Sequence, residues 1–151
     1  MPKKLVLETS ILRVVKPLDL NHHGTLFAGQ MASWLVEAGF IAAASLHGKT
    51  EDIVCVQLND MMFKKPINLG DIIEIKTRIA HLGSTSITVY TEVFRQGEGT
   101  PLVSNFGIFV GVDKNNKPVP HGYKLTEEYI VENREIYEAA AKLRKKLETR
   151  G

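Results

Sequence analysis

One carboxylate in a long apolar segment is the first residue of this sequence that could do chemistry. Residues 27–46 contain a single ionisable side chain, Glu37, among mainly apolar and small residues. A buried carboxylate is costly unless it is paired or has a function. Gly24, Ala28 and Gly29 precede it, and such residues allow backbone N–H groups to approach a ligand. This combination predicts a ligand site at the start of the segment.

The segment that carries Glu37 has the composition of a buried helix. A helix that is apolar on all sides belongs in a protein interior, and 20 residues at about 1.5 Å each span roughly 30 Å, the width of a small domain. Gly48 is a natural C-terminal stop. We therefore expect a central helix that ends near residues 47–48 and is surrounded by other elements.

Strand patterns precede and follow this helix. They are separated by turns rich in Gly, Pro, Asn and Asp, and they cover residues 5–15, 53–63, 71–80, 86–95 and 102–112. Residues 53–56 are predicted to be buried. A helical pattern begins at Thr126, which can cap it. The order predicts an α+β fold, with an antiparallel β-sheet wrapped around a long central helix and an additional C-terminal helix.

Length and composition limit the class of protein. The 151 residues, 44% hydrophobic and 24% charged, fit one globular domain. We expect residues 1–125 to form its main body and residues 126–151 a helical extension of the same domain. The sequence shows no signal-peptide pattern and no second membrane-length segment, so a cytoplasmic protein without a membrane partner is expected. A net charge of +2 is low for a nucleic-acid-binding domain, so no nucleic-acid partner is expected.

Several other chemistries find no support in the sequence. The five histidines show no metal-ligand spacing, so we predict neither a metal site nor another cofactor. The single cysteine, Cys55, cannot form an internal disulfide, and its apolar neighbours predict a core residue rather than a nucleophile. No serine-nucleophile or phosphate-loop motif is present. Among the mechanisms considered, direct attack by a water molecule, without a protein nucleophile or a metal, is the one that the sequence leaves open.

Three segments resemble the hot-dog-fold acyl-CoA thioesterases. Residues 21–30 (NHHGTLFAGQ) are similar to the N-x-x-G-x-x-F-x-G start of that family's central helix. Residues 59–71, with NDMMFKKP followed by LGD, are similar to its D-x-M-x-F-x-x-P and G-D strand and turn, and residues 83–86 (GSTS) to its small polar turn. The resemblance covers about residues 5–112. It implies an antiparallel sheet of five or six strands, a homodimer with one continuous sheet, and often a trimer of dimers.

The resemblance implies hydrolysis of an acyl-CoA thioester to a carboxylic acid and coenzyme A. The thioester oxygen becomes an oxyanion when water attacks, and N–H groups of Ala28 and Gly29 at the helix N-terminus are placed to stabilise it. Glu37 is the candidate base, acting beside the partner protomer's helix. Asn21 either holds the water or thioester or only forms the turn before Gly24.

The candidate base departs from the family pattern. In many members of the family the helix acid lies seven residues after the second Gly of the helix start, which is Val36 in this sequence, although some relatives have an acid at the position of Glu37. Glu37 is one residue later, roughly 100° around the helix, and could instead be the partner of a buried Arg or Lys at a subunit contact. Asp60, within the second match, is the rival carboxylate.

Basic residues after the second strand are candidates for binding coenzyme A. Lys64 and Lys65, together with Arg95, are the candidates that bind its phosphates. The main alternative is a non-catalytic, acyl-CoA-binding regulatory hot-dog module. A hydratase of the same fold ranks last, because residues 19–22 lack the Asp and His order that it needs.

Overall fold

A computed structural model describes residues 4–150 of the chain, with the side chains of residues 4–146. The described residues form five strands and three α-helices. Their bounds are β1 Glu8–Val14, α1 Ala28–His47, β2 Ile53–Phe63, β3 Ile72–Leu82, β4 Ser86–Arg95, β5 Val103–Gly111, α2 Glu127–Glu132 and α3 Arg134–Arg150. These elements agree with the predicted order and with the α+β class.

The five strands make one antiparallel sheet in the order β1-β3-β4-β5-β2. β1 and β2 are therefore its two edges. The alternation predicted for β3 and β4 is confirmed, because the residues at every second position are buried on one face. These residues are Ile73, Ile75, Thr77 and Ile79 of β3 and Ile87, Val89, Thr91 and Val93 of β4.

α1 packs along this inner face of the sheet. Its small residues allow close contact: a Cβ added to Gly39 would lie 2.9 Å from Cε1 of the buried Phe109. Gly48 ends the helix in the left-handed conformation, with φ of +92°, and donates its N–H to the Ala44 carbonyl at 2.6 Å. Within the described residues, no helix is long and apolar enough to span a membrane.

Two predictions of burial are wrong for the single protomer. The sheet covers only one side of α1, so Ser33 and Glu37, which lie outside the covered side, are exposed. In β2, Ile53 is buried but residues 54–56 are exposed, and this includes Cys55. Both errors have one cause, because apolar composition does not reveal which side of an element the sheet leaves without a neighbour.

The C-terminal helices cover part of the opposite, outer face of the sheet. Thr126 caps α2 as predicted, since its Oγ1 accepts the Tyr129 N–H at 3.1 Å. The predicted single helix is interrupted at Asn133, whose Oδ1 accepts a hydrogen bond from Arg78 on β3 at 2.9 Å. Ala140 of α3 then packs in a buried cluster with residues of β3 and β5. The division of the domain at residue 125 stays a prediction.

The attachment of α2 to the sheet predicts a pH-dependent stability. The Tyr129 hydroxyl donates to the Ile79 carbonyl at 2.6 Å. Burial, aided by the charge of Glu8 and opposed by that of Arg78, raises the pKa of Tyr129 to about 12. The neutral hydroxyl is favoured in the folded state, so its contribution is complete below pH 10, the ordinary tyrosine value, and is lost between pH 10 and about 12.

We therefore expect Tyr129→Phe to lower the free energy of unfolding by about 1 kcal/mol at pH 8, the typical value of one hydrogen bond. The difference from the wild type should shrink as pH rises above 10, because only the wild type loses this contribution. Urea denaturation of both proteins from pH 8 to 11.5 measures it. A difference that stays constant over this range would contradict the assignment.

Candidate active site at the start of the central helix

A tight turn precedes α1, and Asn21 holds it together. The Asn21 Oδ1 accepts the N–H groups of His23 and Thr25, at 2.8 and 3.2 Å, and its Nδ2 donates to the Thr25 Oγ1 at 3.0 Å. The Gly24 N–H donates to the Asn21 carbonyl at 3.1 Å, and Gly24 has a φ of +80°. Both residues thus have a turn-forming role in the protomer, and the Gly24 N–H is already engaged.

The first turn of α1 leaves two backbone donors open. The Phe27 carbonyl accepts the N–H groups of Gln30 and Met31, at 3.0 and 3.1 Å. Within the described part of the chain, no acceptor is found for the N–H groups of Ala28 and Gly29, and both residues are exposed. Such unpaired groups carry the partial positive charge of a helix N-terminus. The N–H groups of Ala28 and Gly29 could therefore donate hydrogen bonds to an anionic oxygen.

Glu37 lies on the side of α1 that faces β1. Its Oε1 pairs with the Arg13 Nη2 at 2.5 Å, and the Arg13 guanidinium lies over the Trp34 ring, 4.9 Å from its centroid. The Glu37 side chain is 52% exposed. The sequence left open that Glu37 pairs with a buried arginine or lysine at a subunit contact. The structure contains a pair with an arginine, but it lies within one protomer and its members are only partly buried.

Asp60 lies on β2, at the other edge of the sheet. It sits in a β-bulge, where the register with β5 shifts between Asn59 and Met62, and its φ is +49°. Its side chain is exposed, and among the described side chains its carboxylate forms no ion pair. Left-handed backbone in a non-glycine residue is uncommon and is found often at functional sites.

The two lysines lie beside the loop that leads into α1. The Leu26 N–H donates to the Ile67 carbonyl at 2.8 Å, and this bond joins that loop to the chain after β2. A cavity of about 260 Å³ lies between the two segments and is lined by Thr25, Leu26, Phe63, Lys64, Lys65, Pro66 and Ile67. Arg95 is engaged elsewhere, in ion pairs with Asp71 and Glu98 at 3.1 and 3.0 Å.

The fold thus brings together only part of the predicted set. The turn at Asn21, the lysines and the end of β2 share one region of the protomer. Glu37 of α1 pairs with the edge strand β1, whereas Asp60 lies on the opposite edge strand, β2. Cys55 is exposed, but partial burial of its thiol raises its pKa, which disfavours the nucleophilic thiolate.

Sequence reasoning missed two residues of this region, Asp19 and Gln30. Asp19 is only 5% exposed. Its Oδ2 accepts the Lys16 N–H at 2.8 Å, and its Oδ1 accepts the Gln30 Nε2 at 3.0 Å. The three-residue spacing of Lys16 and Asp19, typical of a side-chain cap, was the only local signal. Among the described residues, no three His, Cys, Asp or Glu side chains are grouped as metal ligands.

Comparison with known proteins identifies the family. Residues 23–102 match the thioesterase superfamily. The chain is 30% identical over 125 residues to the acyl-CoA thioester hydrolase YciA of Salmonella typhimurium, covering 78% of this chain and 89% of that protein. It is 33% identical over 110 residues to YkhA of Bacillus subtilis, an uncharacterized acyl-CoA thioester hydrolase, covering 70% of this chain but only 63% of that protein.

Solved structures agree in fold. An apo-hexameric acyl-CoA thioesterase superposes with a TM-score of 0.78 and 29% identity, over 95% of this chain and 92% of that chain. A hexameric hot-dog-fold thioesterase of Campylobacter jejuni superposes with a TM-score of 0.66 and 26% identity, over 87% and 94%. The predicted hot-dog fold is confirmed, and the names of the relatives agree with the predicted reaction. The chain belongs to the thioesterase superfamily.

Proposed function

We propose that this chain hydrolyses an acyl-CoA thioester to a free carboxylic acid and coenzyme A. The observation that carries the proposal is the pair of open N–H groups of Ala28 and Gly29 at the N-terminus of α1. The names of the relatives, acyl-CoA thioester hydrolases, support the substrate class. The cavity beside Lys64 and Lys65 supports an anionic ligand at the same end of the helix.

The reaction follows from this arrangement and needs no cofactor. The oxygen of a water molecule bonds to the thioester carbon while a carboxylate takes its proton. The carbonyl oxygen becomes an oxyanion, which the N–H groups of Ala28 and Gly29 stabilise. The C–S bond then breaks, and the proton passes to the sulfur, so that coenzyme A leaves as a thiol and the acyl group as a carboxylic acid.

Asp60 is the better of the two candidate bases. One oxygen of the Glu37 carboxylate is held by Arg13 on the β1 side of the helix. Asp60 has an exposed carboxylate on the strand whose end borders the cavity. Asn21 contributes by holding the turn before the two donors, as its three hydrogen bonds indicate.

One observation favours the alternative, a regulatory module that binds acyl-CoA without hydrolysing it. The family's helix acid is replaced by Val36, and the neighbouring Glu37 is paired with Arg13. If Asp60 does not replace that acid, the open N–H groups would bind the thioester without an attacking water. Thiol release from a panel of acyl-CoAs separates the two functions.

We also propose a homodimer that pairs through β2. An edge strand with exposed backbone groups and apolar side chains is a ready site for strand pairing. The exposed apolar residues of β2 are Val54, Val56, Met62 and Phe63. Pairing two copies of β2 would extend the sheet and place Asp60 at the junction of two protomers. By analogy with the hexameric relatives, the dimers assemble into a trimer of dimers.

The choice of base is tested by two isosteric substitutions. We expect Asp60→Asn to lower kcat by about 10²- to 10⁴-fold with little change in KM, because it removes the proton acceptor but keeps the size. Asn also tolerates the left-handed backbone at this position. Glu37→Gln is the matched control and should leave kcat within about threefold of the wild type.

The reverse result, with a large loss in Glu37→Gln alone, would assign the base to Glu37. Equal losses in both variants would indicate that the two carboxylates act as one unit. A wild-type protein that binds acyl-CoA but releases no thiol from any chain length would contradict hydrolysis and favour the regulatory module.

The lysines predict a dependence on the nucleotide part of the substrate. Reversing the charge of Lys64 and Lys65 to Glu should raise KM for acyl-CoA by about tenfold, because their attraction to the phosphates is lost. KM for the matching acyl-pantetheine, which lacks the nucleotide, should not change. The control reverses Lys114 and Lys117, which are exposed in the distant turn after β5. Equal KM values for wild type and variant with acyl-CoA would contradict the assignment.

The assembly is tested by light scattering at micromolar concentration. We expect the wild type to be at least dimeric, and Val54→Lys with Val56→Lys to yield smaller species, because buried lysines would oppose pairing of β2. Val131→Lys, at an exposed apolar residue of α2, is the matched control. A monomeric wild type would refute pairing through β2.

A further inference from the structure

Asp19 is a buried acid whose position needs an explanation. It is 5% exposed, and among the described side chains no cation pairs with it. Burying a carboxylate without a counter-ion is costly. Its two oxygens accept N–H groups from the Lys16 backbone and the Gln30 side chain. An asparagine could accept the Lys16 N–H equally well, so what the acid decides is which end of the Gln30 amide faces residue 19.

The carboxylate forces one orientation on the Gln30 side chain. An ionised carboxylate only accepts hydrogen bonds, so Gln30 must turn its Nε2 towards Asp19, at 3.0 Å. Its carbonyl oxygen, Oε1, therefore points away from Asp19. Gln30 is only partly buried and follows Gly29 directly in the first turn of α1. Helical side chains lean towards the N-terminus, and Gln30 belongs to the same helical turn as the open N–H groups, so its carbonyl oxygen is an acceptor close to them in the chain.

Asp19 also anchors the backbone of that turn. Its carbonyl accepts the Phe27 N–H at 2.8 Å, and the Phe27 carbonyl accepts the first helical N–H groups. Asp19 thus holds both the residue before the helix and a side chain of the first helical turn. These two contacts would have a function if the Gln30 carbonyl oxygen bound a ligand.

We propose that Asp19 is a positioning residue that directs the Gln30 carbonyl oxygen at the attacking water. The proposal rests on the proposed function. It adds Gln30 to the site, beside Ala28 and Gly29, as the residue that accepts a hydrogen bond from one O–H of the water. Gln30 takes no proton, since the other O–H loses its proton to the carboxylate base. The water oxygen is then aimed at the thioester carbon, which lies between it and the two N–H donors.

Asp19→Asn separates this role from a merely structural one. The Oδ1 of the introduced asparagine keeps the Lys16 N–H, and its Nδ2 meets the Gln30 Nε2, so the Gln30 amide flips to restore a hydrogen bond. The flip turns an NH₂ group towards the water in place of the carbonyl. We expect kcat to fall by about 10- to 100-fold with KM and the urea midpoint nearly unchanged.

The double variant Asp19→Asn with Gln30→Glu should rescue the activity. The amide of the introduced asparagine then donates to one oxygen of the introduced glutamate, and the other oxygen again presents an acceptor to the water. We expect kcat to return to within about threefold of the wild type. Gln30→Met, which has no acceptor oxygen, should lose as much as Asp19→Asn. The matched control is Asp113→Asn, because Asp113 accepts backbone N–H groups of Asn115 and Lys117 in an exposed turn away from the start of α1.

Three results would overturn the proposal. In the first, Asp19→Asn keeps the kcat of the wild type while the wild type releases thiol, so hydrolysis stands and the role of Asp19 fails. In the second, the single and double variants lose activity equally and in step with their urea midpoints, which assigns Asp19 to stability alone. In the third, the wild type releases no thiol from any acyl-CoA, and the proposed function fails together with this assignment.

Discussion

The contact between α1 and the inner face of the sheet determines where every candidate group lies. Gly39 and the alanines beside it let the helix approach the sheet so closely that an added Cβ at Gly39 would meet Phe109 at 2.9 Å. Such a close-packed interface tolerates little change in volume. The helix direction is thereby set, and its N-terminus is held against the loop that follows β2. The open N–H groups and the lysine-lined cavity come together for this reason.

The same contact separates the two candidate carboxylates. With one side of α1 committed to the sheet, Glu37 is directed to β1, where Arg13 reaches it across the face of Trp34. Asp60 lies on β2, in a bulge with left-handed backbone that interrupts the regular strand pattern. The helix carboxylate at position 37 is therefore a partner of β1 in this protomer.

The loop before α1 supplies order without a hydrophobic core of its own. Asn21 satisfies the N–H groups of its turn, and Asp19 satisfies Lys16, Phe27 and Gln30. A polar loop needs such acceptors, because each buried N–H group without one is costly in free energy. The N–H groups of Ala28 and Gly29 are exposed and have no acceptor among the described residues, and they connect the loop to the proposed chemistry.

Local pattern was sufficient for part of the site and for the elements, apart from the break between α2 and α3. The alternation in β3 and β4, the stop at Gly48 and the cap at Thr126 are set by neighbours a few residues away, and all were predicted. The motif around Asn21 and Gly29 marked the start of α1 in the same way. Contacts between distant segments were decided only by the tertiary structure. The exposure of β2 and Cys55 depends on which strand lies at the edge of the sheet. The pairs Arg13–Glu37 and Asp19–Gln30 depend on the rotation of the helix and the path of the loop, and neither of these produces a periodic pattern in the sequence.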